Sequence, residues 1–179
     1  MVIRTVSTTD LPAVQNLIRA SFDPLLHPYM VSTQQGAEHY LRVFVEFAEF
    51  HRDRYLILAE SESNDLLAFA EFRLIEGGVG FLSYICVVET ARGQGIAKKL
   101  IFRCLEHFSE IHTVQLDVFA NNHIAKSLYE RLGFQEISQN TWLIRPCPTL
   151  LVCETSNVNL KFENLPSSLA NFEIGRAHV

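Results

Sequence analysis

Several features that mark particular protein classes are missing from this chain. Its 179 residues carry a formal net charge of −5, so the basic surface of a nucleic-acid-binding domain is absent. No apolar run approaches the roughly 18 residues that a membrane-spanning helix needs. The N-terminal segment also lacks a basic stretch followed by an apolar core. We therefore expect no nucleic-acid partner, no membrane span and no signal peptide.

Cysteine is scarce, and its spacing does not fit common metal or redox motifs. Four cysteines occur, none of them in a CxxC pair, and none of the seven histidines has metal-ligand spacing. Cys86 and Cys104 fall inside apolar patterns and are expected to be buried. The sequence therefore predicts a reduced, cytoplasmic protein with no metal. No Cys/His/acid set for a covalent acyl-enzyme can be identified from spacing.

What the sequence does contain is a regular alternation of apolar patterns. Hydrophobic residues make up 48% of the chain and charged residues 20%, which is typical of a globular domain. The predicted strands are 2–7, 54–61, 66–76, 79–88, 112–120 and 134–145, and the predicted helices are 8–22, 36–53, 96–108 and 121–134. The order is strand, two helices, three strands, then helix, strand, helix, strand. It predicts an α/β fold whose mixed sheet begins as an antiparallel meander and continues through crossover units.

A glycine-rich turn separates the strand 79–88 from the following helix. Gly93 and Gly95 would let an anion approach the backbone, and the N-terminus of a helix favours negative charge. Arg92 and the following lysines add positive charge. The turn lacks the GxxxxGK[ST] pattern of a P-loop and the acidic residue of a dinucleotide fold. By itself the pattern is typical of either a phosphate site or a tight connector.

Two motifs in the expected order resemble the GNAT acetyltransferase superfamily. The segment RGQGIA (92–97) matches the family pattern Q/R-x-x-G-x-G/A, and NHIAKSLYERLGF (122–134) matches N-x-x-A-x-x-[LF]-Y-x-x-x-G-F. The resemblance covers about residues 2–145. It implies a GNAT acyltransferase fold with acetyl-CoA as donor. It also implies direct attack in a ternary complex by a primary amine of a small molecule or peptide.

The resemblance also implies which residues hold the cofactor. Backbone groups of Cys86, Val87 and Val88 would pair with the pantetheine arm, and Asn122 would contact the CoA arm. The implied pyrophosphate-binding residues are Arg92, Gly93, Gln94, Gly95, Ile96 and Ala97. A structural alternative exists for Asn122, which could simply cap a helix.

Two side chains are predicted to be catalytic. Tyr129 stands where the family has its general acid, and a phenol is protonated at neutral pH and can donate to a departing thiolate. Asp117 is the predicted base, because the segment around it is similar to ribosomal-protein N-terminal acetyltransferases, in which a glutamate holds the matching place. Glu71 and Glu89 are alternative bases. Structural alternatives are a core-rim position for Tyr129 and a solvated strand position for each carboxylate.

The acceptor is left open by the sequence. His27, Tyr29 and Tyr40 lie in the region that shapes acceptor sites in the resembled family, although single residues of these types are usually packing residues. Two further functions stay open, a non-catalytic acyl-CoA-binding sensor and a phosphate-binding domain unrelated to CoA. A monomer and a homodimer are equally compatible with the sequence.

The C-terminal part lies outside the matched pattern. We expect a GNAT domain over 2–145 and an extension over 146–173, which could be the start of a truncated further segment. The last six residues, IGRAHV (174–179), can be reverse-translated as ATC GGA AGA GCA CAC GTC followed by a TGA stop. Since that string is a common sequencing adapter, we interpret 174–179 as a scar rather than natural sequence.

Overall fold

The computed structural model describes residues 1–142 and 172–178, which fall into two compact units. Of the described residues, 1–116 with 178 belong to the first unit, and 117–142 with 172–177 belong to the second. The strands are β1 (Val2–Thr5), β2 (Arg54–Glu60), β3 (Leu66–Ile75), β4 (Val79–Val87), β5 (Thr113–Phe119), β6 (Gln135–Trp142) and β7 (Phe172–His178). The helices are α1 (Leu11–Ser21), α2 (Ala37–Glu46), α3 (Ile96–His107) and α4 (His123–Arg131).

The sheet of the first unit is a mixed one. Strands β1 to β4 are neighbours in chain order and pair antiparallel, and β4 then pairs parallel with the start of β5. On β3 and β4, Phe72 is opposite Leu82 and the adjacent Glu71 is opposite Tyr84. Ser83 therefore has no partner of its own and is the extra residue of a β-bulge. This arrangement confirms the predicted meander followed by a crossover.

The two faces of this sheet are covered by different helices. One face, here called the α1/α2 face, packs against α1 and α2 through a cluster that includes Ile18, Leu41 and Phe69. Helix α3 packs on β2, β3 and β4, and the stacked rings of Phe72 and Phe108 lie 6.0 Å apart. Successive side chains of a strand point to opposite faces of the sheet. The near-continuous apolar runs in β2 and β3 can therefore pack against α1 and α2 on one face and against α3 on the other.

In the second unit, α4 is followed by β6. The order of its strands places β7 between the end of β5 and β6. Residues 174–178, expected to be a scar, thus belong to a strand in the structure. The interpretation of 174–179 as a scar stays a prediction. The domain boundaries at 145 and 173 also stay predictions, and residue 145 lies outside the described residues.

All four predicted helices extend beyond the observed ones, and for two of them the difference has a clear cause. The helix predicted over 36–53 ends at Glu46, because Phe47 leaves the helical conformation with φ −117° and ψ 39°. The phenylalanines that suggested continuation, Phe47 and Phe50, are exposed. The helix predicted from residue 8 begins as a 3₁₀ turn, in which the Asp10 carboxylate accepts the Ser7 N–H at 2.7 Å, and α1 proper begins at Leu11. Within the described residues no helix is long and apolar enough to span a membrane.

Candidate active site

The glycine turn before α3 has an unusual backbone. Gly93 has φ +75° and Gly95 has φ +74°, a left-handed conformation that side chains with a Cβ adopt only with strain. A Cβ placed on either glycine would have no described atom within 4 Å. The glycines are therefore required for the shape of the turn, and no described residue fills the space in front of them.

Backbone donors at the start of α3 point into this turn. The first helical bond runs from the Lys99 N–H to the Gly95 carbonyl at 3.1 Å. For the N–H groups of residues 93–98, no backbone acceptor is recorded in the part of the chain that the structure describes. Unpaired N–H groups and the helix dipole together form an anion-binding site. The arrangement fits an anion such as a pyrophosphate.

Arg92 connects this turn to the end of β4. Its Nε donates to the Val87 carbonyl at 3.3 Å, which holds the guanidinium beside the turn. Val88, the next residue, donates its N–H to the Leu67 carbonyl on β3. Because the N–H and carbonyl groups of successive strand residues point to opposite sides, those of Val87 point away from β3. By the same alternation Ile85 also faces away from β3, whereas Cys86 and Val88 face it.

Within the described residues of the first unit, no strand pairs with the end of β4 on the side away from β3. The recorded parallel ladder of the first unit runs from Val79 opposite Thr113 to Leu82 opposite Leu116. Beyond it, β4 continues to Val87 at the glycine turn. Of the three strand residues predicted to pair with the pantetheine arm, Val87 is the one whose backbone groups face the open side, and Ile85 is a residue that the sequence did not identify.

The two described cysteines are chemically inert. Burial raises the pKa of the Cys86 thiol to about 12, against a smaller opposing effect of a hydrogen bond with Ser21. Burial also raises the pKa of Cys104 to about 12. Both are thus protonated at neutral pH, and neither is a thiolate nucleophile. Within the described residues no cluster of three metal-ligating side chains occurs.

Helix α4 carries the second motif, and both of its ends are satisfied within the chain. The Asn122 Oδ1 accepts the Ala125 N–H at 3.1 Å, so Asn122 is a helix cap. At the other end Gly133 has φ +93°, its N–H donates to Glu130, and the Phe134 N–H donates to the Tyr129 carbonyl at 3.0 Å. These two bonds form a Schellman motif, which confirms the predicted helix stop at Gly133.

Tyr129 is held firmly by this helix end. Its side chain is 7% exposed, and its ring lies 5.6 Å from that of Phe134. Asp117, in the same unit, is exposed on β5. Tyr129, Asp117 and Asn122 thus belong to the second unit, whereas Val87 and the glycine turn belong to the first.

Glu71 differs sharply from the other predicted bases. Glu89 is exposed, whereas Glu71 is 2% exposed on the α1/α2 face. Its Oε1 accepts a hydrogen bond from Arg54 Nη1 at 2.6 Å. Burial raises the pKa of this carboxyl group, and the positive charges of Arg54 and Arg73 oppose that shift.

Aromatic rings surround the Glu71–Arg54 pair. The Arg54 guanidinium lies 4.0 Å from the centre of the Phe44 ring and 5.9 Å from that of Tyr40. Tyr84 is the cross-strand partner of Glu71, and burial raises its pKa, opposed by Ser32 beside it. The contact with Ser32 lowers the pKa of Tyr84, because it favours the ionised phenol. The Ser32 Oγ atom itself has no described partner at hydrogen-bond geometry.

Of the three predicted acceptor-region residues, one is tied into the loop. His27 Nε2 lies 3.0 Å from the Arg19 carbonyl and 3.1 Å from that of Phe22, which fixes the turn after α1. Tyr29 and Tyr40 are 47% and 37% exposed. His27 therefore has a structural role, and Tyr40 joins the Glu71 surroundings.

The family model for the acetyltransferase (GNAT) family matches residues 12–134, more than half of the chain. The chain belongs to this family. The match contains both motifs, from Arg92 to Phe134, which confirms the family expected from the sequence. Acetyltransferases of this family use acetyl-CoA as co-substrate.

Known proteins agree with this assignment at different levels. The chain is 31% identical over 81 residues to a spermine/spermidine N(1)-acetyltransferase of Bacillus subtilis, covering 40% of this chain. The chain spans about half, 53%, of the length of that curated relative.

Solved structures extend the likeness to the whole fold. A ribosomal-protein-alanine N-acetyltransferase from Brucella melitensis matches with TM-score 0.68 and 18% identity, covering 100% of this chain and 99% of that one. Mutant forms of the spermidine/spermine N-acetyltransferase SpeG from Vibrio cholerae match with TM-score 0.63 and 18% identity, over 99% and 93% of the two chains. At these identities the likeness shows the fold.

Proposed function

We propose that this protein is an N-acetyltransferase that moves the acetyl group of acetyl-CoA to a primary amine within a ternary complex. The observation that carries the proposal is the turn before α3, where left-handed glycines precede N–H groups that have no backbone acceptor among the described residues, a geometry suited to an anion. The family membership and the curated relative named for polyamine acetylation support the amine as acceptor. A small-molecule acceptor in the cytoplasm is part of the proposal.

The residues of the first unit bind and polarise the donor. The N–H groups of residues 93–98 hold the pyrophosphate, and Arg92 adds positive charge beside it. The backbone of Val87 pairs with the pantetheine arm. The N–H of Ile85, which faces the same side of β4, donates to the thioester oxygen as it becomes an oxyanion.

The proposed chemistry needs three proton transfers, carried by two side chains. Asp117 takes a proton from the ammonium of the acceptor, and the neutral nitrogen then forms a bond to the acetyl carbon. The C–S bond breaks as the carbonyl reforms, Tyr129 protonates the departing thiolate, and the second proton of the nitrogen returns to the Tyr129 phenolate. Holding the two reactants together can contribute about 7–11 kcal/mol to lowering the barrier.

The first test is stabilisation by the donor. A ligand at 100 times its dissociation constant adds about 2.7 kcal/mol to the free energy of unfolding, so millimolar acetyl-CoA should raise the melting temperature clearly. The expected control result is a much smaller shift with acetyl-pantetheine, which has no pyrophosphate. An unchanged melting temperature with acetyl-CoA would contradict the assignment of the turn.

A second measurement separates the enzyme from a non-catalytic sensor. Release of free CoA thiol is followed with a panel of primary amines. The enzyme releases thiol in proportion to amine, whereas a sensor binds acetyl-CoA and releases none.

A further inference from the structure

Glu71 has one satisfied and one unsatisfied carboxylate oxygen. Oε1 is bound by Arg54, whereas Oε2 has no hydrogen-bond partner among the described residues, although the side chain is only 2% exposed. Ser32 Oγ, beside Tyr84, is the other buried side-chain atom without a partner in the described part. Since buried polar atoms in folded proteins are normally paired, Glu71 Oε2 has the capacity to accept a hydrogen bond from a group outside the chain.

Two arginines flank this carboxylate. Arg54 and Arg73 are directly opposite each other on β2 and β3, a position where like charges destabilise a sheet. Arg54 is occupied by Glu71 and by the Phe44 ring. Glu71 and the two arginines together carry a net positive charge. Among the described residues, no further acidic side chain forms a recorded ion pair with either arginine.

Arg73 has donors to spare. Its Nε donates to Ser83 Oγ at 2.9 Å, and its guanidinium lies 5.1 Å from the centre of the Phe81 ring. No partner is recorded for its two terminal nitrogens within residues 1–142 and 172–178. A guanidinium fixed through Nε presents those nitrogens to a carboxylate, the anion that its planar fork matches best.

The cluster adjoins the strand segment that we assign to the donor. Ser83 is the bulge residue of β4, Tyr84 is the partner of Glu71, and Ile85, the next residue, faces the open side of the strand. A ligand held between Glu71 and Arg73 on the α1/α2 face would therefore lie beside the part of β4 that holds the thioester.

We propose that Glu71 and Arg73 bind an acceptor that carries a carboxylate next to its amine, namely a free α-amino acid. The amine donates to Glu71 Oε2, and the carboxylate pairs with the terminal nitrogens of Arg73. This inference rests on the proposed acetyl transfer. A polyamine would place several positive charges beside two arginines, so the same geometry selects against it.

The test compares acceptors that differ only in the carboxylate. L-phenylalanine is measured against phenethylamine, and L-lysine against cadaverine, with spermidine as a further acceptor. We expect kcat/KM to be at least tenfold higher for each amino acid than for its decarboxylated partner. Equal or higher values for the decarboxylated amines or for spermidine would overturn the inference while leaving the acetyl transfer intact.

Variants of one arginine assign the preference to a residue. Arg73→Gln should lower kcat/KM for L-phenylalanine by ten- to a hundredfold, mainly through KM, and change phenethylamine turnover less than threefold. Arg73→Lys should restore part of the loss. Arg103→Gln, which removes an exposed arginine on α3, is the matched control and should change neither value. An equal loss for both acceptors in Arg73→Gln would show a merely structural role.

Binding gives a readout that does not depend on turnover. Calorimetry with L-phenylalanine in the presence of CoA should detect binding to the wild-type chain and at least tenfold weaker binding to Arg73→Gln. If acetyl-CoA fails to bind but phenylalanine binding still depends on Arg73, the proposed acetyl transfer is contradicted and the amino-acid site at Glu71 and Arg73 is supported. If no amino acid binds, the inference is wrong.

Discussion

Helices α3 and α4 carry the two motifs of the family, and their N-termini are built in opposite ways. Helix α3 begins at Gly95 without a side-chain cap, and the N–H groups of its first turn have no recorded partner in the described chain. Helix α4 begins at Asn122, whose side chain accepts the Ala125 N–H. The first motif thus has backbone donors without a recorded partner in the described chain, whereas the second motif pairs donors at both ends of α4 within the chain.

The largest expected effect comes from a variant that tests whether Tyr129 of α4 acts in proton transfer. Tyr129→Phe keeps the ring against Phe134 and the Schellman bonds, which involve only the backbone. We expect kcat to fall by about 10²–10⁴, the usual contribution of positioned proton transfer. Acetyl-CoA affinity should stay within a few-fold, and the melting temperature should change little. The measurements are steady-state kinetics with a burst experiment, calorimetry and thermal unfolding.

A contrary result would change the comparison. A core-rim tyrosine predicts nearly normal turnover with a small loss of stability. An unchanged kcat would mean that α4 fixes Tyr129 for packing alone, and a water would then protonate the thiolate.

The second prediction uses the left-handed glycines of the two regions as a matched pair. Gly95→Ala and Gly133→Ala each place a Cβ at positive φ in open space, so each should lose roughly 1–2 kcal/mol of stability. Gly95→Ala should in addition weaken acetyl-CoA binding by about tenfold or more, since about 1.4 kcal/mol of lost contact already gives that factor. Calorimetry and thermal unfolding of both variants measure this. Equal affinity in the two variants would remove the glycine turn from the cofactor site.

The sequence predicted these two regions well, because their signals are local. A glycine after an apolar strand and a glycine after a helical stripe each define a backbone conformation within a few residues. The extent of α2 was predicted wrongly, since Phe47 and Phe50 continue an apolar pattern that the structure leaves exposed.

The Glu71 cluster could not be predicted in the same way. Glu71 was a candidate base, but its neighbours Arg54, Arg73 and Tyr84 come from three strands. Their meeting depends on cross-strand register and on the bulge at Ser83, and a shift of one residue would turn each side chain to the other face. Nothing local in the sequence specifies that register. The alternation of Glu71 and Arg73 along one strand was the only available signal that they share a face.

The smallest expected effect separates the two roles of Asn122. The helix cap uses Oδ1, and a cofactor contact would have to use the amide nitrogen. Asn122→Ala removes both and should lower the free energy of unfolding by about 1 kcal/mol. Asn122→Asp keeps an oxygen in the same place and, as an anion at a helix N-terminus, should melt as the wild type does. It has no N–H to donate, so its acetyl-CoA affinity should fall a few-fold if the amide contacts the CoA arm. Calorimetry and thermal unfolding on both variants decide the matter. Normal affinity in the aspartate variant would make Asn122 a cap alone, and α4 would then contribute no cofactor contact through this residue.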